Sequence, residues 1–304
     1  MRAAVFEKFG GPDVLRTGDV DEPHAGPGEV RVAVRAAGVN PMDYKIRHGW
    51  MEQLFSTRLP AIPGSECAGV VDETGEGVTE FAVGDSVVGW TATGAYAQYA
   101  LAETVVPKPA SLGWEEAAAV PVAGGTARRV LDQLAVRRGE TVLVHGAAGG
   151  VGSVAVQLAV ARGATVIGTA SPGNHDYLRS LGALPVAYGE GLVGRVRAVA
   201  TQGVDAVFDV AGKGALPDSI ELRGGTTDRI ITIADPDAAG HGVAFSAGVA
   251  APGTKRAALA ENVRLATEGA LRLRVARTFP LADAAEAQKT SEEGHANGKL
   301  VITP

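Results

Sequence analysis

"TVLVHGAAGGVGSVAVQLAVARGATVIGTAS", residues 141–171, decides how the chain is read. An apolar run from Thr141 to Val144 enters a loop of small residues; a helical pattern leaves the loop, and a second apolar run follows. Strand, turn, helix and strand in that order make a βαβ unit. Inside the turn lies A-x-G-x-x-G, at Ala147, Gly149 and Gly152, the dinucleotide fingerprint with alanine in first place. The first position serves a tight chain reversal. At Gly149 the backbone must approach a pyrophosphate, where a Cβ would collide, and Gly152 lets the helix pack on the strand. The N–H groups of the first helical turn, aided by the helix dipole, then face the anion. In a chain with 41 glycines such a pattern is weak alone. Its place between strand and helix gives it weight.

Behind this unit the alternation continues. "NHDYLRSLGA", "GLVGRVRAVAT" and "LPDSIELRGG" read as helices; "LPVAY", "VDAVFDVAG", "RIITIAD" and "VAFSAG" read as strands. Continuous apolar strands between helices predict a parallel sheet covered on both faces. The first third reads differently. "EVRVAVRAAGV", "CAGVVDETG" and "DSVVGW" are short β-rich runs broken by turns, which predict an antiparallel, partly barrel-like β unit. A helix-rich stretch from Ser111 to Leu134 joins the two, with Ser111 or Gly113 as its cap. After Pro252 come helix, strand, helix and strand, a tail expected to return to the first β unit. The expected division is 1–119 and 251–304 for a catalytic β domain, with 120–250 as an inserted doubly wound α/β domain.

The composition allows this and excludes much else. With 304 residues and 46% hydrophobic content the chain can fill two cores. A net charge of -6 leaves no basic footprint, so nucleic acid is not an expected partner. The single cysteine, Cys67, excludes an internal disulfide and a four-cysteine zinc site. "MRAAVFEKFGGPDVL" has no apolar stretch behind a basic region, and no apolar run reaches membrane-span length, which predicts a cytoplasmic chain.

The choice of coenzyme turns on the end of the second strand. An NAD site places an acid there, about 20 residues after the glycines, for the ribose hydroxyls. Here the residues are Thr169, Ala170 and Ser171, and the first acid is Asp176. Without a carboxylate to repel a 2′-phosphate, NADP(H) is favoured over NAD. Ser171 can donate a hydrogen bond, Asn174 and His175 lie just beyond, and Tyr188 can close the pocket from the next strand. No lysine or arginine stands at the strand end itself.

"GETVLVHGAAGGVGSVAVQLA" (139–159) resembles the signature of the quinone oxidoreductase (zeta-crystallin-like) branch of the medium-chain dehydrogenase/reductase superfamily, except that Val160 replaces the usual basic residue. "AAGVNPMDYKIRHG" (36–49), "IPGSECAGVV" (62–71), "GDSVVGW" (84–90), "GAYAQYA" (94–100), "AGGTA" (123–127) and "GKLVI" (298–302) resemble the same branch, in its order. The resemblance implies a GroES-like β-barrel domain and a Rossmann domain, with the active site between them. It implies that Ala148, Gly149, Gly150 and Val151 contact the pyrophosphate and that Ser171 and Tyr188 lie by the adenosine phosphate. Gly212, Ile233, Ala234 and Asp235 would line the strand ends, Phe245, Ser246 and Ala247 would reach the nicotinamide side, and Asn40, Tyr44 and Thr126 would flank the nicotinamide ring and substrate. The superfamily's zinc-dependent alcohol dehydrogenases carry cysteine and histidine where this chain has Asn40 and Ser65. An amide and a hydroxyl are poor zinc ligands beside thiolate and imidazole, so no metal is expected. His145 reads as a hydrogen-bonded strand-end residue rather than a ligand.

Without a Lewis acid, oxidation of a simple alcohol lacks a stabiliser for the alkoxide. A quinone or α,β-unsaturated carbonyl accepts hydride and spreads the charge onto its own oxygen, and the protein supplies alignment and exclusion of water. Tyr44, Lys45 and His48 follow Asn40 in a loop expected to face the substrate, where tyrosine or histidine can donate a proton. Trp50 and Phe55 can form an apolar wall. An enoyl-thioester reductase and a non-catalytic NADPH-binding sensor or structural protein remain open as alternatives. "VAFSA", late in the parallel sheet, is expected at its edge, where pairing with a second copy would give a homodimer.

Overall fold

The computed structural model describes residues 1–54, 56–247, 252–294 and 296–304. Phe55 and His295 lie outside them.

The chain begins with an antiparallel pair, β1 (Arg2–Val5) and β2 (Arg16–Asp19). There follow β3 (Val30–Val39), helix α1 (Pro41–Arg47), β4 (Glu66–Thr74), β5 (Ser86–Thr91) and β6 (Tyr99–Pro107). Helix α2 (Trp114–Ala118), capped by Gly113, precedes helix α3 (Val120–Gln133). The middle of the chain runs β7 (Thr141–His145), α4 (Gly150–Ala161), β8 (Thr165–Thr169), α5 (His175–Ser180), β9 (Leu184–Val186), α6 (Leu192–Val199), β10 (Ala206–Asp209), α7 (Leu216–Leu222), β11 (Ile230–Thr232) and β12 (Ala244–Phe245). The tail is α8 (Pro252–Thr267), β13 (Val275–Pro280), α9 (Ala284–Glu293) and β14 (Lys299–Thr303).

Contacts divide the chain into two units. One is Met1–Val122 with Pro252–Pro304; the other is Ala123–Ala251. The first boundary thus falls inside α3, three residues beyond the 119/120 break expected from composition, because the helix runs through it.

In the first unit β13-β14-β3-β4-β5-β6 form a sheet, and β6 also pairs with β3, closing β3 to β6 into a ring. Alternation decides which side chains enter. Along β3, Val30, Val32 and Val34 are buried and Arg35 is exposed. Val32, Val71, Val87, Tyr96, Phe279 and Ile302 share one core; Ala36, Val88, Val106, Leu259 and Val301 share another, beneath α2 and α8. The tail does return to the first β unit: β14 is antiparallel to β3, with Leu300 opposite Val39.

The second unit holds a parallel sheet in the order β12-β11-β10-β7-β8-β9. Its central strands β7 and β10 are buried almost throughout, as helices on both faces require: Val142, Leu143, Val144 and His145 are all covered. The strand order reverses between β7 and β10, and in such sheets the crevice beyond the carboxyl ends at that point receives ligands. β12 is an edge strand, as expected, with Ala244 and Phe245 both exposed. Among the described residues no helix is long and apolar enough to cross a membrane.

One local expectation is corrected. Asn40 to His48 is not a loop: Pro41 to Arg47 form α1. Proline is favourable in the first helical turn, and the Asp43 carboxylate reaches back 2.8 Å to accept the Asn40 backbone N–H.

Candidate functional site

In the second unit the turn from β7 to α4 is built as the glycines demand, with one shift. The left-handed residue that reverses the chain is Gly146, φ +69°, not Ala147. Its neighbours are tied down: Ala147 N–H donates to the Thr169 carbonyl at 3.1 Å, and Gly149 N–H to the Gly146 carbonyl at 3.1 Å. A Cβ on Gly152 would fall on the Gly146 carbonyl oxygen and lie 2.9 Å from the Ala147 Cα. A Cβ on Gly149 would meet only the Gly146 oxygen, at 3.3 Å. Gly152 therefore serves helix-to-strand packing, whereas Gly149 is far less closely packed by the chain itself. Gly149 caps α4, so the first N–H groups of that helix, at Gly150, Val151 and Gly152, have no partner within it. Ala148 is buried beside them.

At the end of β8 the Ser171 hydroxyl accepts a 3.0 Å hydrogen bond from the Asn174 amide and keeps its own proton to donate. Asn174 is itself buried and acts one step behind Ser171. Tyr188, 55% exposed, follows β9, and the Ala170 N–H to Val186 carbonyl bond at 3.1 Å brings the two strand ends together. A residue not visible to sequence reasoning organises this loop. Arg195, on α6, donates to the carbonyls of Ala187 (3.0 Å), Tyr188 (3.3 Å), Gly189 (3.0 Å) and Glu190 (2.8 Å). Arg195 lies seven residues downstream of Tyr188, a helical position no local motif marks.

Across the switch point, buried Asp209 at the end of β10 organises two neighbouring loops. Its Oδ1 accepts the N–H groups of Ala211 (3.0 Å) and Gly212 (3.1 Å), and its Oδ2 accepts the Thr232 hydroxyl at 2.7 Å. The Thr232 oxygen in turn accepts the N–H groups of Ala234 (3.1 Å) and Asp235 (3.0 Å). Gly212, Ile233 and Ala234, expected at the strand ends, are gathered there by Asp209 and Thr232. Phe245 is 47% exposed and Ala247 exposed; Ser246 is buried, its hydroxyl accepting Arg129 Nε at 3.2 Å. Arg129 lies one helical turn after half-buried Thr126 on α3, and burial lowers its guanidinium pKa.

His145 is a structural residue, as expected. Ser219 donates to the Ala215 carbonyl at 2.7 Å, so it accepts from His145 Nε2 at 2.9 Å. Nδ1 is left to accept the Thr169 hydroxyl, 3.4 Å away. Burial pushes this imidazole below its ordinary range, against the pull of Asp209, and keeps it neutral.

In the first unit Asn40 is buried at the junction of β3 and α1. Its Nδ2 donates to Glu66 Oε1 at 2.8 Å, and its Oδ1 accepts the Lys299 ammonium at 2.5 Å. Lys299 also pairs with Glu66 at 2.5 Å. Tyr44 lies on α1, half-buried, and meets Trp50 edge-on with ring centres 6.3 Å apart. His48 is engaged: it pairs with Glu292 at 2.7 Å and stacks on Trp50 at 4.3 Å, so it is not poised as a free donor. Trp50 is 61% exposed.

The donor set for zinc is poor. The Asn40 oxygen faces an ammonium, and a second cation there would be repelled. Cys67 is in the core, and burial, with the Glu66 charge second, pushes its thiol up to about 12, so it is no thiolate at neutral pH. Among the described residues no cluster of three or more His, Cys, Asp or Glu is placed to hold a metal.

A doubly wound sheet with this glycine turn, carried in one chain with a closed antiparallel β ring, defines the class of two-unit dehydrogenases and reductases. The alcohol dehydrogenase GroES-like domain matches residues 26–110, and the zinc-binding dehydrogenase domain matches residues 181–302. The 2-haloacrylate reductase of a Burkholderia species is 34% identical over 335 residues, covering 100% of this chain and 99% of that one. A pikromycin polyketide synthase component of Streptomyces venezuelae is 38% identical over 302 residues, covering 91% of this chain. The chain spans 8% of that synthase component and about half the length of the mammalian quinone oxidoreductases it matches. The solved quinone oxidoreductase from Coxiella burnetii superposes with a TM-score of 0.89 at 32% identity, over 100% of this chain and 99% of that one. A mycobacterial relative solved as a complex with NADPH gives 0.86 at 30% identity, over 100% of both chains. The chain belongs to the quinone oxidoreductase-like branch of the medium-chain dehydrogenase/reductase superfamily.

Proposed function

We propose that this chain is an NADPH-dependent, zinc-independent reductase of quinones or α,β-unsaturated carbonyls. The observation that carries the reading is the turn from Gly146 to Gly152, open at Gly149 and lined by helix-terminal N–H donors, beside a strand end that carries Ser171 in place of an acid. NADPH, when bound, supplies the hydride. Gly149, Gly150, Val151 and Gly152 would hold its pyrophosphate through backbone N–H groups. Ser171 and Tyr188, the latter on the loop clamped by Arg195, would take the 2′-phosphate, and Gly212, Ile233, Ala234, Phe245, Ser246 and Ala247 would lie by the nicotinamide half. Asn40, Tyr44 and Thr126 would contact ring and substrate. The relative named a 2-haloacrylate reductase, matched over its whole length, supports an activated alkene as acceptor, and the NADPH complex supports the coenzyme.

The test is the loss of NADPH absorbance with a panel of quinones, enones and 2-haloacrylates, compared with NADH. NADPH consumption with one of these acceptors is the expected result. Stoichiometric zinc retained after dialysis against zinc chloride would end the zinc-independent part. Enoyl-thioester reduction is the second reading, favoured by the match to the polyketide synthase component, and turnover confined to thioesters would establish it. NADPH binding with no turnover on any acceptor would instead indicate a sensor or structural role. The exposed edge strand β12 supports a homodimer formed by strand pairing, to be checked by mass in solution.

A further inference from the structure

Three neighbouring strands bring one polar or charged side chain each to the same corner of the first unit. Asn40 follows β3, Glu66 opens β4, and Lys299 opens β14. Lys299 is 5% exposed, Asn40 4% and Glu66 0%. Glu66 is fully engaged: Oε1 accepts Asn40 Nδ2 at 2.8 Å and Lys299 Nζ at 2.5 Å, while Oε2 accepts the Val122 N–H at 2.7 Å. Space for the carboxylate comes from Gly38, where a Cβ would fall on it.

The charges decide how the amide of Asn40 lies. Turned over, its NH₂ would face the ammonium and its oxygen the carboxylate, two repulsive contacts in a buried site. As it stands both contacts are attractive. Both polar ends of the amide are thereby held in fixed directions.

We infer that Lys299 is a positioning residue, acting through Asn40: with Glu66 it locks the amide in one orientation. The catalytic part of this inference rests on the placing of Asn40 against the substrate; the locking of the amide does not.

Lys299→Met alone would leave the Glu66 carboxylate buried without a cation, and loss of fold would be uninformative. The double variant Lys299→Met/Glu66→Gln removes both charges. In ¹H–¹⁵N spectra of the full chain the Asn40 side-chain amide should exchange slowly with water in the wild type and at least about tenfold faster in the double variant. With folding and NADPH affinity kept, kcat for the best acceptor should fall about 10-fold to 100-fold while coenzyme binding is unchanged. Slow exchange persisting in a folded double variant would overturn the inference, as would an unchanged kcat. If the wild type reduces no acceptor, the proposed activity fails, and the exchange comparison still decides the role of Lys299.

Discussion

Gly212 and Ala234 meet backbone to backbone: a Cβ on Gly212 would lie 2.5 Å from the carbonyl carbon of Ala234 and 2.8 Å from its Cβ. Gly212 also has φ +58°, a region that favours glycine. Asp209 and Thr232 draw the two loops into this contact. Gly212→Ala should push the loops apart. We expect a stability loss of about 1–3 kcal/mol by thermal unfolding and NADPH affinity about tenfold weaker by fluorescence titration. Unchanged affinity would show that these strand-end loops do not carry the coenzyme.

Gly149 and Gly152 should separate packing from binding. Gly152→Ala drives a methyl into the Gly146 carbonyl and should cost about 1–3 kcal/mol of stability. Gly149 has φ -76° and ψ 177°, which alanine adopts readily. Gly149→Ala should hold stability within about 1 kcal/mol yet weaken NADPH binding about tenfold or more. Equal effects of the two substitutions on coenzyme affinity, after correction for folding, would contradict the division of labour.

Arg195→Ala removes the guanidinium that gathers four carbonyls around Tyr188. A preorganised loop loses less entropy when it closes on a ligand. The KM for NADPH should rise about threefold to tenfold, and that for NADH less. A parallel rise for both coenzymes would assign Arg195 to the fold alone.

Asp43 makes stability depend on pH. Burial pushes its carboxyl from an ordinary 3.8 to about 6, partly opposed by the Tyr96 hydroxyl, the Asn40 N–H and the charge of Lys299. The folded chain therefore holds a proton that the unfolded chain has already released. Stability from this group is present below about pH 4 and is lost as pH rises to about 6. Relative to Asp43→Asn, the wild type should lose about 1–3 kcal/mol across that window. A difference that stays flat or grows with pH would refute the assignment.

The strand-turn-helix at 141–171 could be read directly because its requirements are local: apolar periodicity, and glycines where a backbone must reverse or approach. The sequence even pointed to Gly152 as the packing glycine. It misplaced the reversal by one residue, since a left-handed φ belongs to the backbone and both Gly146 and Ala147 are small. Asn40 was found by its position among motifs, but its partners were not. Lys299 is 259 residues away in sequence and meets Asn40 only because β14 pairs with β3.

By itself, then, the sequence determined the alternation of strands and helices, the parallel sheet of the second unit and the coenzyme turn, because each depends on residues a few positions apart. Tertiary structure alone decided that α1 replaces a loop, that Arg195 clamps the segment bearing Tyr188, that Asp209 gathers two loops, and that an ammonium faces Asn40. Those outcomes depend on burial and on charges brought together by strand pairing, and neither leaves a periodic mark along the chain.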